Sequence, residues 1–177
     1  MAVAQSSLSL RRARPEDCRL VWEWANAPEV RAASFTTAPI PWESHQEWFA
    51  ARLQDPNCHF FIILGPEQQP WGQIRFDPLA DQQATISITL APEARGQGLG
   101  AAALRLAASE IFRTTSLTAI HAYIKPDNIR SIRAFRTAGF RLLGRTQVKG
   151  QLAEHYLLTR EAGTGTVGEE DGADYPA

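Results

Sequence analysis

In the stretch LAPEARGQGLGAAALRLAASE, residues 90–110, an arginine precedes three glycines at alternate positions, and an alanine- and leucine-rich run follows at once. Glycine at 96, 98 and 100 removes the β-carbons that would bar an approaching anion and lets the chain take positive φ. The run behind it predicts a helix from about Gly98 to Phe112, by apolar spacing. The first-turn N–H groups of such a helix lack partners within it and lie at the positive end of its dipole. A glycine turn feeding a helix start is therefore a cradle for a diphosphate, each contact contributing roughly 0.3–2 kcal/mol.

Other phosphate-binding patterns fit less well. GQGLGA satisfies the dinucleotide pattern G-x-G-x-x-[GA], but APEA separates it from the preceding strand, and the region about 20 residues on offers His121 where that pattern needs an acid for a ribose. No Lys-Ser or Lys-Thr follows the last glycine, so a P-loop is excluded. Taken alone, the turn could equally be a flexible entry to a core helix.

It does not stand alone. Arg95-Gly96-Gln97-Gly98-Leu99-Gly100 fits the arrangement (Q/R)-x-x-G-x-(G/A) behind a strand ending in ITLAP, and KPDNIRSIRAFRTAGF follows at residues 125–140. With both motifs at this separation, the chain resembles the GNAT superfamily of N-acetyltransferases over residues 8–159. The resemblance implies acetyl-CoA as cofactor. Its pyrophosphate would lie on Arg95, Gly96, Gln97, Gly98, Leu99, Gly100 and Ala101. Its pantetheine arm would pair with the backbone of Ile88, Thr89 and Leu90, and Asn128 would touch the same arm. Asn128 or Asp127 would also serve as a helix N-cap. The Leu90 N–H would polarise the thioester carbonyl as negative charge builds there.

The chain departs from the superfamily pattern at Phe135, where many members carry a tyrosine that reprotonates the leaving thiolate. Phenylalanine has no proton to give. Tyr123 stands where some relatives carry a basic glutamate and is the catalytic candidate there; His121, His155, Tyr156 and Asp77 are the other titratable groups within reach of acid–base work. A lysine-like amine of pKa near 10.4 must lose a proton at a cost of roughly 4–5 kcal/mol at pH 7. An amine on a sugar carbon is less basic by induction and needs less help.

A finer resemblance bears on the acceptor. VWEWANAPEVRAASF, SHQEWFAARL, FFIIL and GQIRFD resemble the acetyltransferases of pseudaminic acid biosynthesis that act on UDP-linked 4-amino-4,6-dideoxy sugars. The same motifs overlap with ribosomal-protein N-terminal acetyltransferases. Trp22, Asn26, Arg31, His45 and Asp77 are the expected acceptor-binding residues: an indole can stack on a uracil or a deoxysugar face, and Arg31 can pair with a diphosphate. Trp24 and Trp48 are expected in the core. A peptide N-terminus is the alternative acceptor, and a catalytically silent CoA-binding module the alternative of another class.

Those groups must be positioned by an α/β domain. The expected element order is β-α-α-β-β-β-α-β-α-β-β, giving a GNAT fold of α+β type: a mixed, mostly antiparallel sheet splayed between strands 4 and 5, with helices on both faces. CHFFIIL and WGQIRFD flank the turn cluster GPEQQP as a hairpin, ATISITL extends it, and APEVRAASFTTAPIP reads as a long connection. At 177 residues the chain allows one domain, here 1–160, and 161–177 reads as a disordered acidic tail. That tail holds five acidic and no basic residues, so the first 160 carry 18 basic against 14 acidic, an excess of four positive charges. Such a mild excess suits an anionic small ligand rather than a nucleic-acid track. Cys18 and Cys58 stand far apart in no ligand pattern, so neither a disulfide nor a metal site is expected. No apolar run approaches membrane-spanning length, and a cytoplasmic monomer or homodimer is the expectation.

Overall fold

The computed structural model describes residues 8–160, and the expected acidic tail lies outside them. Seven strands form one sheet: β1 (Ser9–Arg12), β2 (His59–Leu64), β3 (Pro70–Leu79), β4 (Gln83–Leu90), β5 (Ala119–Ile124), β6 (Arg141–Val148) and β7 (Gln151–Thr159). Their order across the sheet is β1-β2-β3-β4-β5-β7-β6. Every neighbouring pair is antiparallel except β4–β5. Among the described residues the α-helices are α1 (Cys18–Ala25), α2 (Pro28–Ala33), α3 (Trp42–Gln54), α4 (Leu99–Thr114) and α5 (Ile129–Thr137). The expected order therefore stands, with one correction. The long connection after α1 contains α2, which Pro28 opens at a position where the missing N–H costs nothing.

The helices divide between the two faces of the sheet. On one face α4 and α5 cover Phe61, Ile63, Ile74, Phe76, Ala84, Ile86, Ile120, Ala122 and Tyr156. On the other, α1 and α3 cover Phe60, Ile62 and Leu64 with Val21, Trp24 and Phe49. The unbroken apolar run of β2 follows, since that strand is covered on both sides. In β4 the pattern alternates: Ala84 and Ile86 turn to α4, while Thr85, Ser87 and Thr89 line the opposite face. Among the described residues no helix is long and apolar enough to cross a membrane.

The start of α1 is tied to the first strand by one buried carboxylate. Asp17 receives both Arg11 nitrogens, at 2.7 and 2.8 Å, and the Arg14 backbone N–H at 2.8 Å. Burial alone would raise its pKa, but these donors hold it below the usual carboxylate value. Its stabilising effect is thus present above the unfolded value near 3.9 and is lost as pH falls through the lower native value. Asp17→Asn is expected to destabilise the fold by about 2 kcal/mol at neutral pH, read from urea unfolding, with the gap to wild type closing in acid.

Candidate active site

β4 and β5 run side by side only briefly. Gln83, Ala84 and Thr85 pair with Ala119, Ile120 and His121, and the register then stops while β4 continues to Leu90 and β5 to Ile124. The Ala91 N–H donates to Trp71 O at 2.8 Å, which fixes the phase of the β4 backbone. By strand alternation, Thr89 faces β3, and Ile88 and Leu90 turn their N–H groups toward the opening beside β5. This corrects one expectation: the Thr89 backbone is not offered to the opening, although those of Ile88 and Leu90 are. The Leu90 carbonyl already accepts from Arg95 Nε at 3.0 Å.

The glycine turn sits at the mouth of this wedge. Gly96 and Gly98 hold φ of +73° and +72°, and a β-carbon at either would meet no atom within 4 Å. The turn surface is therefore open, and the left-handed conformation is what demands glycine. Gly98 is the N-cap of α4 and no side chain caps the helix, so the first-turn N–H groups of Leu99, Gly100 and Ala101 point outward unclaimed. Gly100 serves packing as well, since a β-carbon there would stand 3.4 Å from the Ala134 β-carbon on α5. Leu99 and Ala101 bury their side chains and can offer only backbone. Arg95 turns away from the cradle: its guanidinium pairs with Glu29 on α2, and its Nη2 is buried without a partner. Gln97 reaches back to Glu93 O at 2.8 Å. Asn128 is the N-cap of α5, accepting from Ser131 N at 3.3 Å. Open glycine turn, uncapped helix and freed strand amides together fit a thioester whose carrier includes a pyrophosphate.

On the face opposite α4, a cavity of about 400 Å³ lies under α1, α2 and α3. Its floor is Gln73, Arg75, Ser87 and Thr89 from β3 and β4, and its walls include Val21, Val30, Arg31, Ile40, His45 and Trp48. Among the described residues that line it there is no carboxylate. Arg75 Nε is held by Asp77 at 2.8 Å, its guanidinium lies 4.7 Å from the Trp48 ring centre, and its two terminal nitrogens have no hydrogen-bond partner among the described residues.

The expected acceptor residues divide sharply. Arg31 and His45 line the cavity, whereas Trp22, Asn26 and Asp77 do not. Trp22 Nε1 and Asn26 Nδ2 both donate to Ile40 O, at 2.8 and 3.1 Å, and Asn26 Oδ1 accepts from Ile40 N at 2.8 Å. Arg31 donates to the carbonyls of Ala25 at 2.6 Å and Thr36 at 2.9 Å, and to Ser34 Oγ at 3.1 Å. These three fasten the segment between α2 and α3 over the cavity, and the Arg31 guanidinium is committed to that task rather than to a diphosphate. His45 Nε2 donates to Cys18 O at 2.9 Å, and burial pushes its pKa below the ordinary imidazole value. Asp77 lies between Arg52 and Arg75. Trp48, expected in the core, is half-buried and forms cavity wall.

Gln73, Arg75 and Ser87 were not among the sequence candidates, and Thr89 was expected only to offer its backbone to the cofactor, not to line this cavity. A signal for them existed in the polar alternation of WGQIRFD and ATISITL, which marks a sheet face that helices do not seal.

A second polar group stands where the wedge begins. His121 Nε2 lies 2.6 Å from Gln83 Oε1, and His121 Nδ1 lies 2.8 Å from His155 Nε2. The amide oxygen can only accept, so His121 donates from Nε2 and accepts at Nδ1 from His155, which leaves a lone pair on His155 Nδ1. Tyr123 stacks on His155 with ring centres 4.6 Å apart. Burial lowers the pKa of both imidazoles, and for His121 a charge on His155 lowers it further. Tyr156 is on the other face, fully buried and donating to Glu154 Oε2 at 2.6 Å. Phe135 is likewise core, 5.0 Å from the Phe140 ring centre, and supplies no proton.

The comparisons with known proteins agree with this geometry. The GNAT acetyltransferase domain family matches residues 7–141. The chain belongs to that family. Among solved structures, aminoglycoside acetyltransferase AAC(6')-Ib in complex with ribostamycin and coenzyme A is 21% identical, with a TM-score of 0.80 over 93% of this chain and 99% of its own. Spermidine N-acetyltransferase from Vibrio cholerae, with CoA and spermine, is 18% identical, with a TM-score of 0.78 over 88% and 97%. At these identities the likeness to the GNAT structures is one of fold. No curated protein matches the sequence.

Protonation of His121 at Nδ1 removes the acceptor that His155 uses, and burial opposes a charge on either imidazole. The unfolded state binds more protons between the ordinary imidazole value near 6.5 and the lower native ones, so stability falls as pH drops through that window. Urea midpoints are expected to change little from pH 8 to 7 and to decline below about 6.5, less steeply in His155→Gln.

Proposed function

We propose that this GNAT enzyme transfers an acetyl group from acetyl-CoA to the single primary amine of an anionic small acceptor, a UDP-linked 4-amino-4,6-dideoxy sugar. The carrying observation is the cavity lining. It presents no carboxylate among the described residues, and it presents Arg75 with unclaimed nitrogens beside the Trp48 ring. Polyamines and aminoglycosides carry several ammonium groups and need carboxylates to offset their desolvation. A nucleotide sugar instead brings a diphosphate, which a guanidinium binds well, and a uracil, which an indole can stack upon.

Acetyl-CoA supplies an activated acyl group. The first-turn amides of α4 and the surface over Gly96 and Gly98 would hold its pyrophosphate, and the Leu90 N–H would polarise its thioester carbonyl. The amine nitrogen forms the new C–N bond as the C–S bond breaks; its surplus proton leaves through His155 or water, and the sulfur departs as a thiolate without a tyrosine at 135. Both reactants are held at one wedge, so proximity provides much of the rate.

Turnover of a UDP-4-amino sugar, of Ala- and Ser-initiated peptides, and of spermidine is the direct measurement. The nucleotide sugar is expected to give a kcat/KM at least about a hundredfold above the polyamine, from some 3 kcal/mol of charge pairing; exclusive acetylation of peptides would overturn the acceptor.

The cofactor seat has its own test. Gly98→Ala is expected to cost about 1–2 kcal/mol of stability from its backbone conformation alone. Its added methyl is expected to weaken acetyl-CoA binding about tenfold or more in calorimetry, by displacing the phosphates from amides worth roughly 0.3–2 kcal/mol each. Wild-type affinity in the folded variant contradicts the cradle.

A further inference from the structure

We infer that Gln73 positions the acceptor's amine, its side-chain oxygen receiving an N–H of the attacking nitrogen; this rests on the cavity being the acceptor site. Gln73 is 4% exposed and lines that cavity. Its Nε2 donates to Thr89 Oγ1 at 3.2 Å, while its Oε1 is buried with no hydrogen-bond partner. An unpartnered amide oxygen in a folded interior is costly, and the fold supplies it with no partner of its own. Apolar Val21, Val30 and Ile40 form nearby cavity wall, so water competes poorly for it.

The location suits the chemistry. Gln73 stands opposite Thr89 in the β3–β4 register, and the next residue, Leu90, turns its N–H into the wedge. Adjacent residues of β4 thus serve the two reactants from opposite sides: Thr89 fixes the amide that holds the nitrogen, and Leu90 faces the carbonyl that the nitrogen attacks. The terminal torsion of a glutamine is broad, and a threonine hydroxyl both donates and accepts, so the amide can turn toward the ligand without losing Thr89. A neutral oxygen takes one N–H and leaves the nitrogen's lone pair free to react. A carboxylate would instead favour the unreactive ammonium.

Gln73→Met, close in volume and without a polar end, is compared with Gln73→Glu, which keeps an oxygen. With whichever amine the wild type turns over, Gln73→Met is expected to raise the acceptor KM about tenfold, the loss of one good hydrogen bond. Acetyl-CoA affinity by calorimetry is expected to stay within about twofold, and the Tm to rise, because an unsatisfied group has gone. Gln73→Glu is expected to keep the acceptor KM within about threefold but to move the acid limb of kcat/KM upward, since it holds the ammonium form. A Gln73→Met enzyme with wild-type acceptor KM, or with a lowered Tm and both substrates weakened alike, overturns the proposal.

Calorimetry with the amine and its analogue bearing hydrogen in place of the amino group separates this from failure of the acceptor reading. The affinity advantage of the amine must shrink in Gln73→Met, whether the acceptor is a sugar or a peptide and whether or not acetyl is transferred. An unchanged advantage, or none in the wild type, overturns the role of Gln73. If only peptides bind and the advantage still shrinks, the sugar reading falls and Gln73 stands.

Discussion

The structure turns on the early end of one parallel strand pairing. Had β4 and β5 stayed in register to the end of β5 at Ile124, the backbone groups of Ile88 that face β5 would be consumed within the sheet. Ending the pairing after Thr85 and His121 instead leaves a row of oriented N–H groups inside a folded protein, where orphans are otherwise rare. Among the described residues none fills that row, and the unsealed start of α4 lies at its mouth. The wedge is a feature of backbone rather than of special side chains, and the fold is shared with structures only 18–21% identical to this chain.

Around the wedge, side chains do two kinds of work. Arg31, Trp22 and Asn26 are polar residues near a binding site, yet they spend their hydrogen bonds on the segment that roofs the cavity. The far side of the same segment is met by the hairpin between β6 and β7, where Lys149 Nζ donates to Thr36 Oγ1 and Gln151 Nε2 to Phe35 O. The groups left to face a ligand are those on the sheet: Gln73, Arg75, Ser87 and Thr89.

Much of this was legible in the sequence, for identifiable reasons. The glycine turn was readable because φ near +70° and an unobstructed approach are demands that only glycine meets at Gly96 and Gly98. The strands β2 and β4 were readable because β2 is buried on both faces and β4 on one, and their apolar patterns differ accordingly. The acceptor side was not. Residue type marks Arg31 and Arg75 alike, and only the positions of neighbouring carbonyls show that the first is spent on the roof of the cavity. Gln73 was invisible for a related cause: a missing partner is a property of three dimensions, and a lone glutamine in a strand carries no such mark. The six-residue α2 was lost among prolines that read as a connection.

The parallel seam also has an energetic meaning. The pairs β2–β3, β3–β4, β5–β7 and β6–β7 are long antiparallel runs, whereas three residue pairs join β4 to β5 across the entire α4 crossover. Closing a long loop costs entropy before any contact repays it, and here the repayment is small. The seam therefore contributes little of the pairing that holds the sheet, and a molecule lodged along it adds a clasp between its two sides.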